Sequence, residues 1–588
     1  MPAVGLPAPD WGTPVRTQGG GSAVSADFQK IKPGRLAFLA ICFAGMAALL
    51  SLRLFYWQVL HRSEVLQSSV ADEVDISAIG WRGTIYDRNN HSLAVPSLVY
   101  DVGASPQLIT DSMRVAGLLA PLVHVPEPKI VAELGQNLSY VPLARGLSAL
   151  EGQAIRELNI PGIKLDPRPG RYYPEGTLAA NVLGFVDGEQ HGFYGVEQQY
   201  DSRLRGTDGT KRASGPQVLF NLPFDRPPRN GTDLVLTIDR AIQYAAEKDL
   251  QQALRDYEAE SGCIIVMDPR TGAILAMAVS PSYDPNAYAS APSDAAYVNK
   301  AISEQYEPGS VFKVVTMAAA LDAGAVRPDD TYEDRGRVVV GGRVFQNWDG
   351  RAYGVSTMTD ILAHSLNLGA IEVAQRLGAS RFYEAVRRFG FGQVTGIDLP
   401  AEVTGSVREP GSPDWWPADL ATNSFGQGLA ATPLQMLAAV AAVANKGVLM
   451  RPYVVDHMVE NGRVVWQATP QPVRRVISAT TADTLTQMLI DALPRETSLA
   501  VVPGYTTAGK TGTAQIPTQG GYEDQAVIAS FAGYIPAKDP RLAVLVKLDR
   551  PKREAWGSRA AAPVYRSLAR EVCAYLGIPP DQAEATGQ

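Results

Sequence analysis

Three short blocks hold the residues best suited to chemistry: PGSVFK at 308–313, HSLN at 364–367 and AGKTGT at 508–513. A serine hydroxyl is a weak nucleophile until a base lies within hydrogen-bond reach. Residues i and i+3 of a helix share a face, so Lys313 can meet Ser310, and the field at a helix start favours negative charge on the serine oxygen. The lysine is a base only when neutral, a form that burial and neighbouring cations favour. The plain alternative is an N-cap serine and a solvated lysine. Ser365 and Asn367 alternate around Leu366 and can point into one site from a short turn, although such pairs also serve as turns or caps. In the third block Lys510 and Thr511 set a cation and a hydroxyl beside Gly512, which permits close approach to backbone. Such a strand suits a carboxylate, with a backbone N–H facing a developing oxyanion.

The third block also satisfies a phosphate-loop pattern, GxxxxGK[ST], from Gly504 to Thr511, and Asp549 at the end of LAVLVKLD imitates its magnesium-binding partner. A phosphate loop needs a helix straight after its Lys-Thr. Here GTAQIPTQGG brings Gly512, Pro517, Gly520 and Gly521, which favour strand and loop. The nucleotide reading is therefore set aside.

The elements that must position these blocks follow from pattern. LVLTI at 234–238 reads as a strand entering a helix near Asp239, with Ile242, Ala246, Leu250, Ala253 and Tyr257 on one face. CIIVMD and AILAMAVS read as a hairpin across PRTG, and AVIASFAGYI and LAVLVKLD as neighbouring strands across PAKDPR. Asn423–Asn445 reads as one apolar helical segment, and a last helix is expected around 560–576. Strands at both ends of a helix-rich middle predict an α+β fold, an antiparallel sheet covered by helices. Before it, residues 63–225 alternate strand-like pieces with turn signals and form a first module.

The chain has 588 residues and a net charge of −7, with no dense basic block in its soluble part, which argues against a dedicated nucleic-acid binder. Its cysteines, Cys42, Cys263 and Cys573, show no metal-ligand spacing, and a Cys263–Cys573 bridge is left open. Residues 1–29 are rich in Gly, Pro and Ala and are expected to be disordered. Leu36–Leu60 is apolar apart from Arg53 and long enough as a helix to cross a bilayer, which takes roughly 20 residues. Lys30, Lys32 and Arg35 place the tail, 1–35, in the cytoplasm, and the rest of the chain after 60 outside it. A cleaved signal peptide is disfavoured by the length of the run and the absence of a small-x-small site.

The order S-x-x-K, S-x-N, K-T-G is the signature of the penicillin-recognising serine enzymes, and the chain resembles a class B penicillin-binding protein. WRGTIYDRNN resembles the R-G-x-I-x-D-R-N-G segment of that family's N-terminal module, with Asn90 where glycine is usual. TGAILAMAVSPSYDPN, YEPGSVFKVVT, FGQGLAATPLQMLAAVAAVANKG and AGKTGTAQ resemble further family blocks, so the likeness spans roughly residues 75–570. It implies a single transmembrane helix at 36–60, an elongated mixed pedestal of the dimerisation type at 63–225 and a transpeptidase domain at 226–580. It further implies Ser310 as nucleophile, Lys313 as its base and Ser365 as proton relay. Asn367 would orient Lys313 and bind the donor amide, and Lys510 and Thr511 would contact the donor's terminal carboxylate. Gly512 and Thr513 complete the substrate-binding strand, with the N–H groups of Ser310 and Thr513 as oxyanion hole; Leu366 varies in the family and carries no chemistry.

The implied reaction is cross-linking of D-Ala-D-Ala stem peptides through a Ser310 acyl-enzyme, trapped by β-lactams, with no metal or organic cofactor. YPEGTLAANVLGF and YEPGSVFKVVTMAAALDAG resemble the division branch more than the elongation branch. The implied partners are a polytopic glycosyltransferase of the shape, elongation, division and sporulation family and other divisome proteins. The implied location is the bacterial cytoplasmic membrane, crossed once. The rivals are an elongation enzyme, a β-lactam sensor or hydrolase with the same triad, and a divisome scaffold.

Overall fold

The computed structural model describes residues 33–56, 79–209, 226–518 and 521–582. The chain divides into two compact units, Met1–Val74 and Asp75–Gln588. The described part of the first is helix α1 (Pro33–Phe55), on which Phe38, Ile41, Phe43, Leu49 and Leu52 are exposed. Among the described residues no helix is long and apolar enough to cross a membrane. Several side chains of α1, residues 57–60 of the expected span and the expected disordered tail at 1–29 lie outside the described residues.

The second unit opens with β1 (Ile85–Tyr86), β2 (Ser92–Ala104), α2 (Ser112–Val123), α3 (Glu127–Leu134), β3 (Val141–Leu147), α4 (Ala149–Glu157) and β4 (Ile163–Tyr172). The turn between β1 and β2 is built by Asp87, whose Oδ1 accepts from the N–H of Asn89 and of His91 at 2.8 Å each. Asn90 has φ +65°, a left-handed conformation that asparagine tolerates better than most residues, which explains why it can stand where glycine is usual. Val102, Leu119, Ile130, Val141 and Ile155 form a core of their own under α2–α4. Next to it lies a buried charge cluster. Glu197 accepts from Arg82 Nε and Arg171 Nε, each at 2.7 Å, and all three side chains are essentially inaccessible.

After the undescribed residues 210–225 come β5 (Asp233–Leu236), α5 (Arg240–Asp256), β6 (Ser261–Met267), β7 (Ile274–Ser280), α6 (Lys313–Asp322) and α7 (Asn367–Leu377). Then follow α8 (Pro433–Ala444), β8 (Val455–Glu460), β9 (Arg463–Gln467), α9 (Ala479–Glu496), β10 (Ala508–Thr518), β11 (Gly521–Ile535), β12 (Leu542–Asp549) and α10 (Ala561–Tyr575). Asp239 caps α5 as expected, accepting from the N–H of Ala241 at 3.0 Å.

Strands β10-β11-β12-β6-β7 form an antiparallel sheet in that order. Its hairpins are those read from the sequence. Cys263, Ile265 and Met267 of β6 pack into the core under α6, α8 and α9, while Ile264 and Val266 face α5 and α10. Burial on both faces explains why these strands read as unbroken apolar runs rather than alternating ones. Cys263 and Cys573 belong to the two opposite cores and are free thiols, so the bridge left open does not form.

The segment 423–445 corrects the sequence reading. The helix begins only at Pro433, where Thr432 and Gln435 form a capping box. Asn423 and Ser424 end a separate helix, Pro417–Ser424, and the residues between the two helices form turns at Gly426 (φ +84°) and Gly428 (φ +74°), conformations a helix cannot contain.

A second sheet, β9-β8-β5-β1-β2-β3 with β4 on the other side of β2, crosses the expected boundary at 225/226. β5 runs parallel to β1 and antiparallel to β8. Ile85, Leu93 and Tyr173 of the first module also share one core with Leu234, Leu236 and α8. Replacing Glu197 by Ala would leave the buried Arg171 guanidinium without a carboxylate and Arg82 with Asp201 alone, a loss of about 3–5 kcal/mol. A thermal melt of the purified chain is expected to show an earlier transition for Glu197→Ala, accompanied by new proteolytic cleavage confined to residues 79–209.

Candidate active site

Ser310 lies on a single 3-10 turn, Gly309–Phe312, that runs directly into α6. The turn is braced from outside its own element. Tyr306 and Ala431 exchange backbone hydrogen bonds of 2.9 Å, and Gly309 N–H donates to Gly426 O at 3.0 Å. The backbones are so close that a Cβ on Gly426 would lie 1.9 Å from Gly309 O, and one on Gly512 2.8 Å from Pro308 O. Glycine is therefore required where β10 and the Gly426 turn clasp the serine. Ser310 caps no helix; its Oγ accepts from Lys313 Nζ at 3.0 Å.

Lys313 is 1% exposed. Its Nζ also donates to Ser365 O at 2.6 Å and Asn367 Oδ1 at 2.8 Å, with Ser365 Oγ at 3.3 Å. Ser365 adopts φ +53° at the bend before α7, while Leu366 is fully buried and pins that bend to the core. Lys510 Nζ donates to Ser365 Oγ at 3.0 Å. Hydrogen bonds thus run without a break from Ser310 through Lys313 and Ser365 to Lys510.

Electrostatics favour a neutral amine at Lys313. Burial pushes its pKa well below the ordinary lysine value, and the charge of Lys510 pushes it the same way, against a weaker pull from Glu496. Burial also lowers Lys510, opposed by the carboxylate of Glu496 beside it.

A cleft of about 840 Å³ opens over this chain. Ser310, Ser365, Asn367, Thr511 and Thr513 line it. Lys313 and Lys510 lie beneath its surface, each 1% exposed, and Gly512 packs against Ser530 and Pro308. All eight residues singled out in the sequence therefore converge, three of them as support from behind.

Two features went unread. Trp348 and Trp556 meet edge to face at 5.1 Å along the cleft, where Trp348 Nε1 donates to His364 O at 3.2 Å and Gly557 N–H to Thr513 Oγ1 at 3.0 Å. Glu496, the last residue of α9, also lines the cleft and accepts from both Lys510 Nζ and Thr511 Oγ1. No local motif marks Glu496, because the end of a separate helix delivers it.

Residues 262–570 match the penicillin binding protein transpeptidase domain family, and residues 78–236 the penicillin-binding protein dimerisation domain family. The chain is 33% identical over 514 residues to stage V sporulation protein D of Bacillus subtilis, covering 85% of this chain and 79% of that one. It is 32% identical over 559 residues to penicillin-binding protein PbpB of Mycobacterium tuberculosis, covering 88% and 81%. The crystal structure of penicillin-binding protein 3 from Mycobacterium tuberculosis complexed with aztreonam superposes with a TM-score of 0.68 at 30% identity, covering 86% of this chain and 99% of that one.

The clasp around the serine turn is testable without reference to chemistry. Gly426→Ala combines a left-handed backbone, costing about 1–3 kcal/mol, with a collision against Gly309 O. Hydrogen–deuterium exchange is expected to rise across residues 306–313 in this variant, with the outer strands β6 and β7 unchanged.

Proposed function

Since the chain belongs to the class B penicillin-binding proteins, related to the septal transpeptidases, we propose that its cleft cross-links peptidoglycan by D,D-transpeptidation through an acyl-enzyme on Ser310. The observation that carries the assignment of roles is the unbroken hydrogen-bond chain Ser310–Lys313–Ser365–Lys510. Neutral Lys313 takes the Ser310 proton as Oγ bonds to the penultimate D-Ala carbonyl carbon. Ser365 relays a proton to the departing amine, so that the C–N bond breaks and D-Ala leaves. Asn367 holds Lys313 and offers its amide to the donor peptide. The close packing of β10 on the serine turn supports an oxyanion hole formed by the N–H groups of Ser310 and Thr513, with no metal needed. An amine from a second stem peptide then attacks the acyl carbon and frees Ser310. Thr511, with Lys510 behind it, receives the donor's terminal carboxylate.

The same reading divides the chain into a cytoplasmic tail at 1–35, a membrane span at 36–60, a pedestal at 63–225 and a transpeptidase domain at 226–580. The exposed apolar side chains of α1 and the flanking Lys30, Lys32 and Arg35 support a single-pass anchor with the cleft outside the cytoplasm. The anchor and pedestal are the natural contacts for a polytopic glycosyltransferase partner, and the division-like wording of YPEGTLAANVLGF and YEPGSVFKVVTMAAALDAG supports work at the septum rather than in elongation.

Incubation of the full-length protein in detergent with a fluorescent penicillin is expected to leave a persistent adduct that mass spectrometry maps to Ser310 and that Ser310→Ala lacks. Fast turnover of the drug would point to a hydrolase, and no adduct to a scaffold. The acylation rate should follow a bell in pH. It rises as Lys313 loses its proton, well below the ordinary lysine value of 10.5, and falls when Lys510, lowered less far, loses its own. A rate that climbs monotonically to pH 10.5 would contradict these roles.

A further inference from the structure

The donor's carboxylate is expected at Lys510 and Thr511, yet that position is already taken. Glu496 lines the cleft, whereas Lys510 lies below its surface with 1% of its side chain exposed. The Glu496 carboxylate rests on the Lys510 ammonium and accepts from the Thr511 hydroxyl, the same two donors that a substrate carboxylate would use. Its own side chain is 7% exposed, so little water separates it from an incoming anion. The main chain beyond it is tied down, with Thr497 Oγ1 donating to Ser558 O at 3.2 Å. The charge of Lys510 is thus spent on an internal acid.

We propose that Glu496 is a specificity-determining residue of the cleft: an internal carboxylate that stands in for the donor's terminal carboxylate on Lys510 and Thr511 and must be displaced from them when the donor binds. The inference rests on the transpeptidase reading above. It follows from charge and geometry. Two carboxylates cannot share one buried ammonium without repulsion. Displacement therefore weakens binding of every anionic donor or inhibitor, in exchange for a lysine that Glu496 keeps paired and fixed against Ser365. Neutral ligands of the same shape escape that competition at the carboxylate end.

The alternatives elsewhere in the cleft are weaker receivers. Arg495 is engaged with Asp360 and faces His364, and Arg559 lies 3.5 Å from Glu554 with two thirds of its side chain exposed. Neither adjoins the serine–lysine chain through a hydrogen bond.

The test is stopped-flow acylation of the full-length protein in detergent, which separates the dissociation constant of the first complex from the acylation rate constant. Ampicillin and its methyl ester are compared on wild type, Glu496→Gln and Glu496→Asp. For Glu496→Gln the dissociation constant of the free acid is expected to fall at least about tenfold, and that of the ester to change less than about twofold. Glu496→Asp keeps the charge on a shorter stem and should fall between wild type and Gln for the acid alone. Because Glu496 raises both lysines, both limbs of the pH bell should also move to lower pH in Glu496→Gln. Equal shifts for acid and ester, or weaker binding of the acid in either variant, would overturn the proposal. Absence of a Ser310 adduct in the wild type would instead overturn the transpeptidase reading itself.

Discussion

A lysine that must be buried, neutral and in contact with a serine is the demand from which most of this architecture follows. An ammonium group resists transfer from water, so Lys313 has to be enclosed by acceptors if it stays charged and by apolar walls if it does not. The structure supplies both. Ser310, Ser365 and Asn367 surround Nζ, while Val314, Val315, Met317 and Ala318 of the same helix are sunk into the central core. Lys510 adds a buried ammonium beside that neutral amine, and Glu496 keeps it from becoming an uncompensated charge. Removing burial would return Lys313 to an ordinary ammonium, and removing Glu496 would leave the other lysine without its counter-charge.

Much of this was legible in the sequence because it is local or periodic. The hairpins of the catalytic sheet, the Asp239 cap and the Ser310–Lys313 spacing are all consequences of neighbours within a few residues. The convergence of Ser365, Asn367 and Lys510 on that pair was legible through family likeness alone, since 145 residues separate Ser365 from Lys510. Glu496 escaped notice for a physical reason. An acid at the end of an amphipathic helix looks like any solvated residue until the helix is docked. Residues 425–432 were misread because their apolar composition matches a helix, while Gly426 and Gly428 impose turns that composition does not register. The module boundary was blurred for a related reason: residues 233–236 look like the start of something new, and pairing across the sheet shows them serving both sides.

The glycines around Ser310 are the counterpart of the buried lysines. Charge burial needs walls at van der Waals distance, and two of these walls are bare backbone. Gly426 and Gly512 let main chain touch main chain where any side chain would hold the serine turn away. The result is a nucleophile fixed by its surroundings rather than by its own helix, and a site whose precision depends on segments some 115 and 200 residues further along the chain.

The sheet shared by β1, β5 and β8 gives the molecule a mechanical character. A linker between modules would act as a joint; a ladder of backbone hydrogen bonds acts as a strut. β5 continues into Thr237, whose hydroxyl donates to Ile274 O of β7 at 2.6 Å, and on to the Asp239 cap of α5. The first module is therefore joined by covalent chain and hydrogen bonds to an edge strand of the catalytic sheet. The far edge of that same sheet is β10, which carries Lys510, so one continuous hydrogen-bonded ladder spans from the strand that β5 braces to the strand that holds the catalytic lysine.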